Sequence, residues 1–211
     1  MTGDSKRDVV FLVASTGMER MLSGLLGGPA GPGGRVGCGT FGLDPGEDVF
    51  VAANGDPGVY GTARELLSPF ERLHRRAVVM LNAAWPGSPG AAAISDDLIR
   101  RLSGSWEEFA VIVVDPSIEA WVWRGLPDPA EVLPLPADHR KILTLSRHWG
   151  VDETAPDDPK AALDHLRRRH GVRVFDSDLG RAAEHMSPKH CTDPAFTLLC
   201  NHLQAWYPEK S

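Results

Sequence analysis

Apolar residues run unbroken through Val9-Val10-Phe11-Leu12-Val13, Ala77-Val78-Val79-Met80-Leu81 and Phe109-Ala110-Val111-Ile112-Val113-Val114, with no polar position to mark a wet face. Such runs are strands buried on both sides, as in a parallel sheet, because a half-exposed strand alternates. Val49 to Ala53 predicts a further short strand. Between the strands the period changes. Met18, Met21, Leu22, Leu25 and Leu26 recur on one side of a helix that follows the Ser15-Thr16-Gly17 turn. Asp56-Pro57-Gly58 reads as a turn into an amphipathic helix over 61–74, and Leu98 and Leu102 mark another over 96–102. Strands alternating with helices predict parallel βαβ units with right-handed crossovers, an α/β fold whose ligands gather beyond the carboxyl ends of the strands.

The pattern changes again at a proline-rich stretch from Gly125 to Pro136. Beyond it the spacing predicts helices over 141–149, 159–170, 179–186 and 194–206, and no strand. The last has the clearest start: Asp193 as N-cap and Pro194 at the first helical position, with Phe196, Leu199, Leu203 and Trp206 on one side. The chain therefore divides into an α/β core, 1–124, and a helical C-terminal extension, 125–211, packed on it. The glycine-rich run from Gly27 to Gly39 follows a helix and lacks the Gly-Lys-Ser/Thr ending of a phosphate loop, so it reads as a mobile surface loop.

Composition narrows the class. Hydrophobic residues at 42% and charged residues at 24% are the balance of a globular protein. A net charge of −6 argues against a general nucleic-acid coat and leaves room only for a local basic strip. Three cysteines form neither a disulfide framework nor a paired zinc motif, which predicts free thiols in a reducing, cytoplasmic compartment. Met1 to Arg7 is short and polar, and no stretch has the roughly twenty apolar residues of a membrane span, so neither secretion nor membrane insertion is expected.

Four groups of residues could carry chemistry. Glu19, Asp115 and Glu119 follow strand ends, where clustered carboxylates can hold Mg²⁺ to activate water or polarise a phosphate. Each also has a structural reading. Thr16-Gly17-Met18-Glu19 fits a helix capping box, Asp115 could cap the helix holding Trp121, and Glu119 suits that helix's first turn. At the mouth of the third strand, where a metal-dependent sheet enzyme would supply further acids, the residues are Asn82, Ala83 and Ala84. His185, His190, Cys191 and Asp193 invite zinc, but without a second ligand pair they read better as a buried thiol at a helix start. Lys160 with Arg167-Arg168-Arg169-His170 is either a solvated helix end or a contact for phosphate or an acidic partner.

Several segments together resemble the small Toprim-like component of the bacterial methylation-associated defence system, an anti-phage operon joining a methyltransferase to kinase-like and protease-like partners. They are Asp8 to Ala14 with Met18-Glu19, Asp56-Pro57-Gly58, and Val113 to Trp123 with its Glu119-Ala120-Trp121-Val122-Trp123 run. Asp158 to Leu163, Cys191 to Phe196 and Leu203 to Pro208 extend the likeness to the C-terminal half. The resemblance implies a compact parallel sheet flanked by helices, with a glutamate after the first strand and acids after later ones holding magnesium for nucleic-acid cleavage or strand passage. Glu19 would be the first acid, and Asp115 with Glu119 the later ones. The chain departs from that pattern at Asn82-Ala83-Ala84-Trp85, where such relatives carry Asp-x-Glu-Gly. The expected role is an accessory or assembly subunit that presents its tryptophan-rich helix and helical half to other proteins of the operon. The alternatives are a Mg²⁺-dependent nuclease using Glu19, Asp115 and Glu119, and a non-cleaving nucleic-acid sensor using Lys160 and Arg167 to Arg169.

Overall fold

The computed structural model describes residues 6–28 and 31–209. Met1 to Ser5, part of the polar amino terminus, and Pro29-Ala30 of the glycine-rich run lie outside the described residues.

The apolar runs form one sheet. β1 (Arg7–Val13), β2 (Val49–Val51), β3 (His74–Asn82) and β4 (Glu108–Val114) lie in the order β2-β1-β3-β4, every neighbouring pair parallel. Phe11 stands beside Val78 and Val78 beside Ala110, so the three long strands are contiguous as their patterning requires. β3 starts earlier than its apolar run, at the charged His74-Arg75-Arg76, because Arg7 of β1 already pairs with His74.

The strands are linked by α1 (Thr16–Leu26), α2 (Pro45–Asp48), α3 (Gly55–Leu67) and α4 (Ala91–Leu102). The Asp56-Pro57-Gly58 turn and the helix over 61–74 are corrected: these three residues form the first turn of α3, which ends at Leu67. Proline is tolerated there because a helix's first N–H groups need no intrahelical acceptor, and Asp56 meets the positive helix end. The order of the strands reverses between β1 and β3, so the crevice at their carboxyl ends is the switch point where such sheets bind ligands.

Among the described residues five α-helices follow: α5 (Glu119–Gly125), α6 (His139–Leu145), α7 (Pro159–His170), α8 (Asp176–Glu184) and α9 (Pro194–Trp206). α6 is shorter than expected, and α8 begins earlier because the Asp178 carboxylate accepts the Phe175 N–H at 2.8 Å and fixes the first turn. This half shares the core's hydrophobic interior. Phe196, Leu199 and Leu203 of α9 are buried, and α9 packs against β4.

The closest seam runs between α1 and α8. A Cβ on Gly24 would lie 2.0 Å from the Gly180 carbonyl oxygen, and one on Gly17 would meet Leu179 at 3.2 Å. The two backbones touch because small residues occupy the contact. Thr16 adds a hydroxyl hydrogen bond to Asp176.

The glycine-rich run is corrected as well. Rather than a free surface loop, its described part is a compact lap tied at both ends of the fold. Arg35 donates to the carbonyls of Gly24 (2.9 Å) and Gly27 (2.7 Å), closing the C-terminus of α1. The Gln204 amide donates to Val36 O at 2.7 Å, and Gly39 N–H to Tyr207 O at 2.7 Å. Gly33 is required: a Cβ there would meet Cys38 O at 2.2 Å.

Among the described residues no helix is long and apolar enough to cross a membrane.

Candidate functional site

The carboxyl ends of the strands carry the residues on which the acidic-site reading depends. Ser15 caps α1, its hydroxyl accepting from Met18 N–H at 3.3 Å, so the capping box on Thr16 and Glu19 is corrected. The helix starts one residue too early for Glu19 to reach back to the cap, and its carboxylate stays half-buried at the rim. Asp115 is exposed just beyond β4. It does not cap the Trp121 helix, because α5 begins at Glu119 behind Ile118. Glu119 occupies that first turn, half-buried, where its charge suits the helix dipole.

Asn82, at the end of β3, is the best-connected residue of this rim. Its backbone N–H donates to Asp56 Oδ1 at 2.7 Å and its side-chain amide donates to Asp56 Oδ2 at 3.1 Å. Its Oδ1 accepts the Ile118 N–H at 2.7 Å. One neutral side chain thus ties the start of α3, the end of β3 and the entry to α5 together, and both of its polar ends are used. Asp56, unremarked in the sequence as a rim acid, stands in the first turn of α3, and both of its oxygens accept from Asn82. Its signal was an aspartate in a predicted loop between two apolar elements, which alone does not separate a turn residue from a helix-start acid.

This arrangement does not fit Mg²⁺. Among the described residues no three His, Cys, Asp or Glu side chains are grouped to hold a metal ion. At the end of β3 Asn82 offers an oxygen already taken by Ile118, and Ala83 and Ala84 follow it. Ser117, between Asp115 and Glu119, is buried with its hydroxyl unpartnered.

Next to this rim the two most distinctive segments meet. Asp193, 1% exposed, accepts from Trp121 Nε1–H at 3.1 Å, from Arg124 at 2.8 Å, and from the N–H groups of Ala195 (2.9 Å) and Phe196 (3.2 Å). A buried carboxylate is tolerable only when paired and hydrogen-bonded in this way. Trp121 meets Phe196 edge-on with ring centroids 5.1 Å apart, and Trp123 donates to Pro159 O at 3.2 Å. The tryptophan-rich helix is therefore interior. The expectation that it presents a surface to partners is corrected: Trp121 and Trp123 are buried because they join α5 to α7 and α9.

The zinc group is not assembled either. Asp193 is committed to Trp121 and Arg124, and His190 lies by Ser187 at 3.1 Å. Burial pushes the Cys191 thiol up to about 11. Cys38, Cys191 and Cys200 are all free and buried.

The basic group is rearranged rather than dispersed. Lys160 stands at the start of α7, about 14 Å along the helix from Arg169 at 1.5 Å per residue. Arg167 is tied down, donating to Asp164 at 3.1 Å and to Val174 O at 2.7 Å. Arg168 and Arg169 instead join histidines that the sequence did not single out as a group. His148 lies 4.6 Å from His165, ring to ring, and His165 lies 6.0 Å from His170. His165, Arg168 and Arg169 line a cleft of about 460 Å³. Burial first, and then the charges of His148, His170, Arg169 and Arg168, hold His165 below its ordinary value.

At the amino end of the sheet a second buried ionic group was also missed. Asp48, 1% exposed, lies between Arg7 (2.6 Å) and His74 (2.8 Å). Burial opposes its ionisation, yet hydrogen bonds from Arg7, Asp44 N–H and His74 hold its carboxyl below the ordinary range. The signal was polar residues heading the apolar runs, Arg7-Asp8 and His74-Arg75-Arg76.

Comparison with protein-family models, curated proteins and solved structures finds no match to the chain.

Proposed function

We propose that this chain is an accessory or assembly subunit of a bacterial methylation-associated anti-phage system, with a Toprim-like core whose acidic rim serves structure rather than catalysis. The resemblance of Asp8 to Ala14, Val113 to Trp123 and Cys191 to Phe196 supports the family. The observation that carries the role is the full use of Asn82 by Asp56 and Ile118 at the switch point. A carboxylate at this point would serve a phosphodiester enzyme, and the one present, Asp56, is bound to Asn82. Large apolar side chains exposed on the C-terminal half, Leu145 and Val151 (each 77%) with Phe175 (63%), give an assembly subunit groups to bury. A cytoplasmic setting belongs to the same proposal, in keeping with three free buried thiols.

The test is co-expression with the methyltransferase, kinase-like and protease-like products of the operon, followed by size-exclusion chromatography with light scattering. A complex containing this chain is expected, weakened by Leu145→Asp with Val151→Asp. Elution of the folded chain alone from every pairing overturns the reading.

A second reading is favoured by one observation. The grouping of His165, Arg168 and Arg169 on one cleft, with His148 and His170 beside His165, suits a polyanion, and supports a nucleic-acid sensor that binds without cutting.

A further inference from the structure

The amino end of the sheet, remote from the acidic rim, holds a cleft of about 400 Å³ between the starts of β3 and β4, walled in part by His74, Arg76 and Trp106. His74 is 2% exposed and Trp106 6%. The Nε2 of His74 lies 2.8 Å from Asp48, which fixes the ring and leaves Nδ1 without a partner among the described residues. Arg76 pairs a terminal nitrogen with Glu108 at 2.7 Å, and its guanidinium carbon stands 4.9 Å from the Tyr207 ring centroid. Among the described residues its buried Nε–H has no partner, and neither has the indole N–H of Trp106.

A buried polar group left unpaired costs about 1–3 kcal/mol, and folded proteins satisfy nearly all of them. Here three belong to side chains that line one cleft. Arg76 is held by Glu108 and Tyr207 and His74 by Asp48, so these two groups are oriented in advance. That is the economy of a recognition site, in which the ligand completes the hydrogen bonds.

The donor set defines the ligand. Arg76 Nε–H and Trp106 Nε1–H are both fixed N–H donors, so they require acceptor oxygen. Lys6 and Arg75 in the same wall add positive charge, and Glu71, Glu107 and Glu108 oppose it. Beside three carboxylates a singly charged anion meets half the repulsion of a doubly charged one. We propose that this cleft binds a small molecule through its carboxylate group, which accepts from Arg76 Nε–H and Trp106 Nε1–H. The site stands apart from the acidic rim and from the assembly reading, and holds whether or not that reading does.

The test follows the indole N–H resonances of the ¹⁵N-labelled chain during titrations with acetate, inorganic phosphate and chloride, with Trp106→Phe used to assign the Trp106 signal. A saturable shift with acetate, weaker with phosphate and absent with chloride, is expected. Arg76→Lys, which keeps the charge toward Glu108 and removes the Nε–H, should weaken acetate binding about tenfold. An unresponsive Trp106 signal in the wild-type chain overturns the site, and so does an equal response to all three anions, which marks unselective attraction. Tighter binding of phosphate overturns the carboxylate assignment. Unchanged affinity in a folded Arg76→Lys overturns the donor role of Arg76.

Discussion

Asn82 and Asp56 meet twice at the carboxyl end of β3: the backbone N–H of Asn82 lies 2.7 Å from one Asp56 oxygen and its side-chain amide 3.1 Å from the other. The chemistry of this pair decides how the rim is read. An amide can donate to Asp56 while accepting from Ile118, whereas a carboxylate can only accept.

Introducing an acid with Asn82→Asp is therefore expected to damage the fold without creating a metal site. The new carboxylate loses the donated bond and faces Asp56, destabilising the chain by about 1–3 kcal/mol near neutral pH. Each acid raises the other's pKa in the folded state, so the penalty is present above the folded values. It is relieved as pH falls into the carboxylate range, where a protonated Asp can donate as Asn does. Urea denaturation of both chains at neutral and acidic pH measures this; equal stability at neutral pH contradicts it.

The seam between α1 and α8 gives a prediction opposite in sign to helix propensity. In an open helix Gly24→Ala would stabilise by up to about 1 kcal/mol. Here the added methyl would stand 2.0 Å from the Gly180 carbonyl oxygen, which is backbone and can retreat only if the helices separate. A loss of about 2 kcal/mol or more is expected. Thermal or urea denaturation decides the sign, and a stabilised variant would show that the C-terminal half does not press on the core through this contact.

The sheet was legible because both-face burial leaves no polar position in a strand, so Val9, Val78 and Val111 announced themselves. Helix ends with local chemistry were legible too: Asp193 caps α9 as its Asp-Pro pair foretold, and α7 spans Pro159–His170 as its spacing predicted. What failed were contacts between distant positions. Nothing near Gly24 reveals that Gly180 will lie against it, and the Asp56 turn acquired its meaning only from Asn82, 26 residues away. Attention to acids after strands also concealed the cations before them. Arg7 and Arg76 look like solvated strand ends until Asp48 and Tyr207 are folded against them.

On the proposal that the histidine cluster binds a polyanion, that binding should depend on pH. His165 is held below its ordinary value of 6.5 by burial and by neighbouring cations, so the unfolded chain takes up more protons than the folded one. Its effect on stability is nil above that value and becomes a loss as pH falls through it. A bound polyanion reverses the repulsion, and binding should take up protons. Affinity for a single-stranded oligonucleotide, read by fluorescence anisotropy, should rise several-fold from about pH 8 to about pH 6. It should also fall steeply with salt. His165→Gln should flatten the pH profile; a flat wild-type profile removes the cluster as the binding surface.

The most direct test of the account is a titration of the folded wild-type chain with Mn²⁺, read by water-proton relaxation and paired with a nucleic-acid cleavage assay in Mg²⁺ and Mn²⁺. Because Asp56 and Asn82 satisfy each other, the account predicts no saturable rim site and no cleavage that depends on Glu19, Asp115 or Glu119. Stoichiometric Mn²⁺ binding together with metal-dependent cleavage, both abolished by Glu119→Ala in a chain that remains folded, would contradict it.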